Sequence, residues 1–209
     1  MKAPPEKHLR KAVIFDLDGT LTRPMLDFEA IRREIGIASG PILEALACMP
    51  LADRRRGESV LERHERAAAE DSTLHAGALE VIGALRAGGF PVAILTRNAR
   101  RWVDIVIARH GLIVDLVRTR EDGPTKPSAE PVLAICSALG ADPAWSWMVG
   151  DFKFDLEAGR AAGSRTVLMI GNGAVPEYAS EADHVIRELH ELLPLILADH
   201  SAPTNLSSA

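Results

Sequence analysis

Four places in this 209-residue sequence set acids, a hydroxyl or a lone lysine directly after an apolar run. AVIFDLDGT, residues 12–20, ends four apolar residues in Asp16, Leu17 and Asp18, followed by Gly19 and Thr20. VAIL at 92–95 runs into Thr96, Arg97 and Asn98; EDGPTKPSAEP isolates Lys126 among turn-forming residues; VGDFKFDLEAG supplies Asp151 and Asp155. Residues i and i+2 of an extended strand point the same way, so Asp16 and Asp18 would crowd if the strand continued. Gly19 predicts a turn near Leu17 that aims the two carboxylates differently and exposes the Asp18 backbone carbonyl between them. A hydroxyl and backbone amides opening a helix, as at Thr96–Asn98, suit an anionic group. Asp16, Asp151 and Asp155 with a backbone carbonyl form an all-oxygen set that suits Mg²⁺, with no His or Cys nearby in sequence to favour a softer metal. Taken singly, each has an ordinary structural role: a helix cap, a surface lysine, acids complementing a helix dipole. Their chemistry depends on being brought together.

The elements that must position them read as alternating strand and helix. Short β-type runs stand at 12–15, 92–95, 115–117, 145–149, 166–170 and 184–186, with helical patterns between most of them. This alternation predicts an α/β fold, a doubly wound, Rossmann-like parallel sheet covered on both faces. In such a sheet the C-terminal strand ends share one edge, where ligands bind. Helices are expected at 77–88, at about 99–109 and at 128–139, the last with Ser128 as N-cap and Gly140 as its stop. Residues 23–74 break the alternation. They contain no strand pattern and read as two or three helices, with Phe28, Ile31 and Ile35 on one face and Ile42, Leu43 and Leu46 on another. An all-helical cap inserted after the first strand is therefore expected, residues 23–74, over a discontinuous core of 1–22 and 75–209, with hinges near Thr20–Pro24 and Ser72–Gly77.

Bulk properties exclude several classes. Hydrophobic residues at 47% and charged residues at 25% suit a globular chain, and no apolar run approaches the ~18 residues of a membrane span. MKAPPEKHLR has no apolar h-region, so no secretory signal is expected and a cytoplasmic address follows. A net charge of −5 disfavours a general nucleic-acid binder. Of the 24 basic residues only five are lysines, which leaves Lys126 and Lys153 nearly alone after residue 11. Cys48 and Cys136 form no CxxC pair and are expected to be reduced core residues. Trp102, Trp145 and Trp147 are expected in the core, His64 on a helix surface and His75 at the hinge. The tail SAPTNLSSA reads as disordered.

DLDGT, the Thr96 strand end, Lys126 followed by Pro127, and GDxxxD at 150–155 together resemble the four motifs of the haloacid dehalogenase superfamily, in order over residues ~12–186. The helical insert resembles the small cap of its phosphoglycolate phosphatase-like branch. The resemblance implies a phosphatase in which Asp16 attacks phosphorus and Asp18 is the general acid and base. It implies Mg²⁺ held by Asp16, the Asp18 carbonyl and Asp151, with Thr96 and Lys126 gripping the phosphoryl group of a small phosphorylated metabolite. Asp155 joins these acids at the metal and is expected to orient Lys126 or a metal-bound water. Arg97, Asn98, Gly19 and Thr20 are expected to line the substrate.

Asp18 separates this chain from the haloacid dehalogenases that resemble it in fold, which generally lack an acid two positions after the nucleophile. A phosphosugar mutase shares the pair and stays an alternative, as do a haloacid dehalogenase of the same fold and a catalytically silent Mg²⁺/phosphate-binding regulator. Two positions depart from the usual pattern: Phe154 stands where a small or polar residue is common, and Arg97 separates Thr96 from Asn98. Arg23, Arg32, Arg33, Arg54, Arg55, Arg56 and Arg63 supply guanidiniums, one of which facing inward would favour a phosphorylated carboxylate such as phosphoglycolate. Oligomeric state has no signature in the sequence.

Overall fold

A computed structural model describes residues 10–200; the expectations for the N-terminal nine residues and for SAPTNLSSA lie outside the described residues. Six strands form one parallel sheet: β1 (Val13–Phe15), β2 (Val92–Leu95), β3 (Leu116–Arg118), β4 (Trp147–Gly150), β5 (Arg165–Met169) and β6 (His184–Ile186). Their order across the sheet is β3-β2-β1-β4-β5-β6. Successive residues of β1 face opposite sides. Val13 and Phe15 join one apolar layer with Val81, Leu85 and Val103, while Ile14 joins the other with Val132, Ile135 and Met148. Both faces of the central strands are therefore covered, which is why β1 and β2 are apolar throughout.

The chain winds from β1 through β2 to β3 in one direction and from β4 through β6 in the other. The winding reverses between β1 and β4, paired from Val13 with Trp147 to Phe15 with Val149. A switch point of this kind opens a crevice at the carboxyl ends of the two strands. Asp16 and Asp151 are the residues that follow them.

Between β1 and β2 lie α1 (Phe28–Ile35), α2 (Ile42–Ala47), α3 (Leu51–Glu70) and α4 (Ala78–Ala87). The first three make the cap, with an apolar cluster of its own built on Ile31, Ile42, Leu46 and Leu61. Phe28 is the exception to its expected face, at 50% exposed. It begins α1, beyond the reach of this cluster, and borders a cavity described below. Because the cap cluster is small, Ile31→Ala is expected to cost about 2–4 kcal/mol, read by denaturant unfolding and faster hydrogen exchange in α1 and α3. A loss below about 1 kcal/mol would show that the cap does not depend on this packing.

Four further helices complete the chain: α5 (Arg100–His110), α6 (Glu130–Leu139), α7 (Lys153–Ala161) and α8 (Leu192–His200). Helix α6 starts two residues later than expected, with Ala129 at the cap position; Ser128 still contributes, its Oγ accepting from the Glu130 amide at 3.2 Å. Two expected core residues are not in the core. Trp145 is 39% exposed, since it precedes β4 in a short turn and stacks under Lys11 and Arg165. Cys48 is exposed as the residue that closes α2, whereas Cys136 is buried. Trp147 is buried, and Trp102 packs partly buried against the main cluster. His64 bonds Glu34 on the cap surface. Among the described residues no helix is long and apolar enough to cross a membrane.

Candidate active site

The turn after β1 forms because one carbonyl collects the backbone. Leu17 O accepts from the amides of Thr20, Leu21 and Thr22 and from Thr22 Oγ1. The chain then leaves for the cap beside the segment that returns from it: Arg23 N donates to Thr73 O at 2.8 Å and His75 N to Leu21 O at 2.9 Å. The two segments that bound the helical insert are thus tied to each other. Gly19 sits at φ +90°, and a Cβ there would overlap the Asp151 carboxylate. Gly19→Ala is therefore expected to lower activity by about 10²-fold or more by displacing Asp151, with the protein still folded; activity within threefold of wild type would exclude such a displacement.

Asp16 and Asp18 meet different surroundings. Lys126 Nζ donates to Asp16 Oδ1 at 2.6 Å and to Asp155 Oδ1 at 2.5 Å, with all three side chains buried. Asp155 Oδ2 accepts from the Phe152 amide at 3.0 Å, so both oxygens of Asp155 are held. Asp18 Oδ2 instead accepts from the neutral Asn98 amide, Nδ2, at 3.1 Å. Asn98 is oriented by Oδ1 accepting from Ala99 N at 2.7 Å. Thr96 Oγ1 accepts from the Asn98 backbone amide at 3.1 Å, which leaves its hydroxyl proton as a donor. Thr20 Oγ1 donates to Asp151 Oδ1 at 3.4 Å.

Charge in this site is unbalanced. Burial, with the charges of Asp155 and Asp151 adding to it, holds the Asp16 pKa well above the ordinary value against the pull of Lys126. Burial and the Asp155 charge push Asp151 up to about 7. Burial also raises Asp18, against the Asn98 hydrogen bond. Burial alone would lower Lys126, but Asp155 and Asp16 outweigh it and keep the ammonium charged. Asp16, Asp151 and Asp155 bring oxygen atoms within 4.8 Å of one another. Three carboxylates against one ammonium, all with oxygen donors, fit a hard divalent cation such as Mg²⁺, which relieves their mutual repulsion.

Above these groups is a cavity of 500 Å³, floored by Asp16, Asp18, Thr96 and Lys126 and roofed by the cap. Three ion pairs cross from core arginines to cap glutamates: Arg97 with Glu44, Arg101 with Glu62 and Arg120 with Glu65. Arg97 is more engaged than an open substrate ligand would be. Its Nη2 reaches both Glu44 oxygens at 2.6 and 2.7 Å, its Nη1 donates to Lys126 O at 2.8 Å, and its guanidinium lies 4.9 Å from the Phe154 ring centre. The two departures from the family pattern, Arg97 and Phe154, therefore pack on each other. Arg32 is the cap arginine at the cavity, while Glu65, buried on α3 and also lining it, has no signature in the sequence.

An open parallel α/β protein with a helical cap over a buried acid–lysine cluster at its switch point is the class that this fold and site define. The family model of haloacid dehalogenase-like hydrolases matches residues 41–163, and the chain belongs to that family of hydrolases. It is 32% identical over 205 residues to a hydrolase of Saccharomyces cerevisiae, covering 91% of this chain and 92% of that protein. It is 29% identical to a phosphoglycolate phosphatase of Chromobacterium violaceum, covering 91% of this chain and 97% of the relative. In fold it is similar to the crystal structure of a hydrolase from Pseudomonas syringae, with a TM-score of 0.78 at 20% identity, covering 93% of this chain and 100% of the other.

Proposed function

We propose that this chain is a cytoplasmic, Mg²⁺-dependent phosphohydrolase that cleaves a small phosphomonoester through an aspartyl-phosphate on Asp16. The observation that carries the reading is the contrast between the two acids of DLD: Asp16 is bonded to the charged Lys126, and Asp18 to a neutral amide. Such a division separates a nucleophile that must stay ionised from an acid that must hold a proton. In this scheme an Asp16 oxygen attacks phosphorus while the bond to the ester oxygen breaks, and Asp18 gives its proton to the departing alkoxide. Asp18, now ionised, takes a proton from the water that attacks the aspartyl-phosphate, and inorganic phosphate leaves with Asp16 restored.

Two unit charges ~4 Å apart at an effective dielectric of 20 repel by about 4 kcal/mol, the barrier to bringing a phosphate against Asp16. Lys126 offsets part of this, and in this reading the Thr96 hydroxyl and the Asn98 loop hold phosphoryl oxygens. Asp16, Asp151 and the Asp18 carbonyl would hold the Mg²⁺, whose charge neutralises the phosphoryl group. Asp155 positions Lys126. Gly19 lets Asp151 approach, and Thr20 steadies it. Residues 23–74 act as the cap domain over the core of 1–22 and 75–209, opening at the two hinge segments to admit substrate.

Phosphate release from a generic aryl phosphate is expected with Mg²⁺ and lost in chelator, returning when Mg²⁺ is restored. Equal rates with and without chelator would overturn the metal assignment. Net transfer of phosphate between sugar positions in place of release to water would support the mutase alternative.

A further inference from the structure

We propose that the alcohol released from the phosphomonoester carries an uncharged ring, seated against Phe28 of the cap and Phe152 of the β4–α7 loop, and is not the two-carbon acid of phosphoglycolate. This rests on the phosphohydrolase reading and narrows its substrate class.

The cavity has the wrong size and lining for a short acid. At 500 Å³ it falls in the range of about 300–1,000 Å³ usual for small-molecule pockets, with room for a ring beside the phosphoryl group. Asp16, Asp18, Thr96 and Lys126 gather at the floor, where a phosphoryl group would sit, and the charged groups higher up include Glu29, Arg32, Glu65 and Lys153. Beyond them the walls are Leu26, Phe28, Leu43 and Leu61 from the cap and Phe152 and Phe154 from the core. Phe28 is 50% exposed and Phe152 44%, and they are the two phenylalanines among the exposed large apolar side chains of the described residues. Both border this one cavity, on opposite sides of the cap–core division. Exposed aromatic faces over a polar floor match a ligand with a charged head and an apolar ring.

The charges point the same way. A substrate carboxylate would need a cation to meet it, and three of the four on the cavity wall, Arg32, Arg97 and Lys126, already face a carboxylate. Arg32 donates to Glu29 Oε1 at 2.6 Å and to Gly40 O at 3.3 Å, Arg97 is held by Glu44, and Lys126 lies between Asp16 and Asp155. Lys153, at the core rim, has its ammonium 5.6 Å from the Phe154 ring centre. An acid at Arg32, Arg97 or Lys126 would have to displace a carboxylate already in place, and Lys153 stands at the exposed rim, whereas an uncharged ring needs no counter-charge and covers the two phenyl faces.

Four phosphate esters of primary alcohols test this with Mg²⁺ present: benzyl phosphate, glucose 6-phosphate, ethyl phosphate and 2-phosphoglycolate. At least one ring ester is expected to exceed both ethyl phosphate and 2-phosphoglycolate in kcat/KM by about tenfold or more, chiefly through KM. Which of the two leads distinguishes an aromatic from a sugar ring. Phe28→Ala and, independently, Phe152→Ala are each expected to reduce the ratio of ring ester to ethyl phosphate by about tenfold. A kcat/KM for 2-phosphoglycolate equal to or above both ring esters, or a ratio unchanged in both variants, would overturn the ring assignment while leaving the phosphohydrolase reading intact. No Asp16-dependent hydrolysis of any of the four would overturn both.

Discussion

Asp16→Asn is expected to lower phosphomonoester turnover by about 10⁴-fold or more while the protein stays folded, because a neutral amide cannot attack phosphorus. The geometry makes this substitution unusually clean. Asp16 is 7% exposed, and burial together with two neighbouring acids makes its charge costly. An asparagine oxygen can keep the hydrogen bond from Lys126, which also retains Asp155. In chelator the melting temperature should therefore match or exceed that of wild type, with an unchanged circular dichroism spectrum. A folded variant within tenfold of wild-type turnover would remove Asp16 from the chemistry.

Lys126→Met should act on both stability and rate. The side chain is 4% exposed and bridges two buried carboxylates, so its loss leaves Asp16 and Asp155 facing each other uncompensated, at a cost of about 3–5 kcal/mol. The deficit depends on pH, and its sign follows from linkage. The Asp16 pKa already lies above its ordinary value, and removing the ammonium raises it further. An acid whose pKa is higher folded than unfolded binds more protons in the folded state between those two values, so stability falls as pH rises through that interval. The variant should thus lose ground to wild type as pH rises above the ordinary carboxylate range, by up to about 1.4 kcal/mol per pH unit for one group. Turnover should fall by about 10³-fold, since the charge that offsets the approaching phosphate is gone. Equal denaturation midpoints for variant and wild type at pH 8 in chelator would contradict the bridging role.

The sheet was legible because each strand is a short apolar run cut off by a polar or glycine residue, and burial on both faces leaves no other pattern for such a run. All six runs became strands, and Gly140 closes α6 where its stop was expected. Helix α8 lacked a legible pattern, since LLPLILADH is apolar nearly throughout and carries Pro194 in its first turn. The residues of the site floor were legible for a geometric reason: a parallel sheet collects its strand ends on one edge, so sequence position alone brings Asp16, Thr96 and Asp151 near one another. What lies above that floor was not legible. Which face of α1 points down, and that Glu65 would be buried opposite Arg120, depend on how the cap docks, and local periodicity carries no record of docking. Arg97 shows the limit most clearly. Its position after Thr96 suggested an anion ligand, but its six-atom reach carries the guanidinium to Glu44 on the cap.

The most direct measurement is rapid acid quench of Asp18→Asn during turnover of a phosphomonoester with Mg²⁺, followed by peptide mass analysis. With the acid and base removed, release of the phosphoryl group from the enzyme should become slow and the intermediate should accumulate. One phosphoryl group is expected on the peptide that contains Asp16, removable by hydroxylamine as an acyl phosphate and absent from an Asp16→Asn/Asp18→Asn double variant. Phosphate release with no enzyme-bound phosphoryl group at any quench time, or a phosphoryl group on another residue, would contradict nucleophilic attack by Asp16.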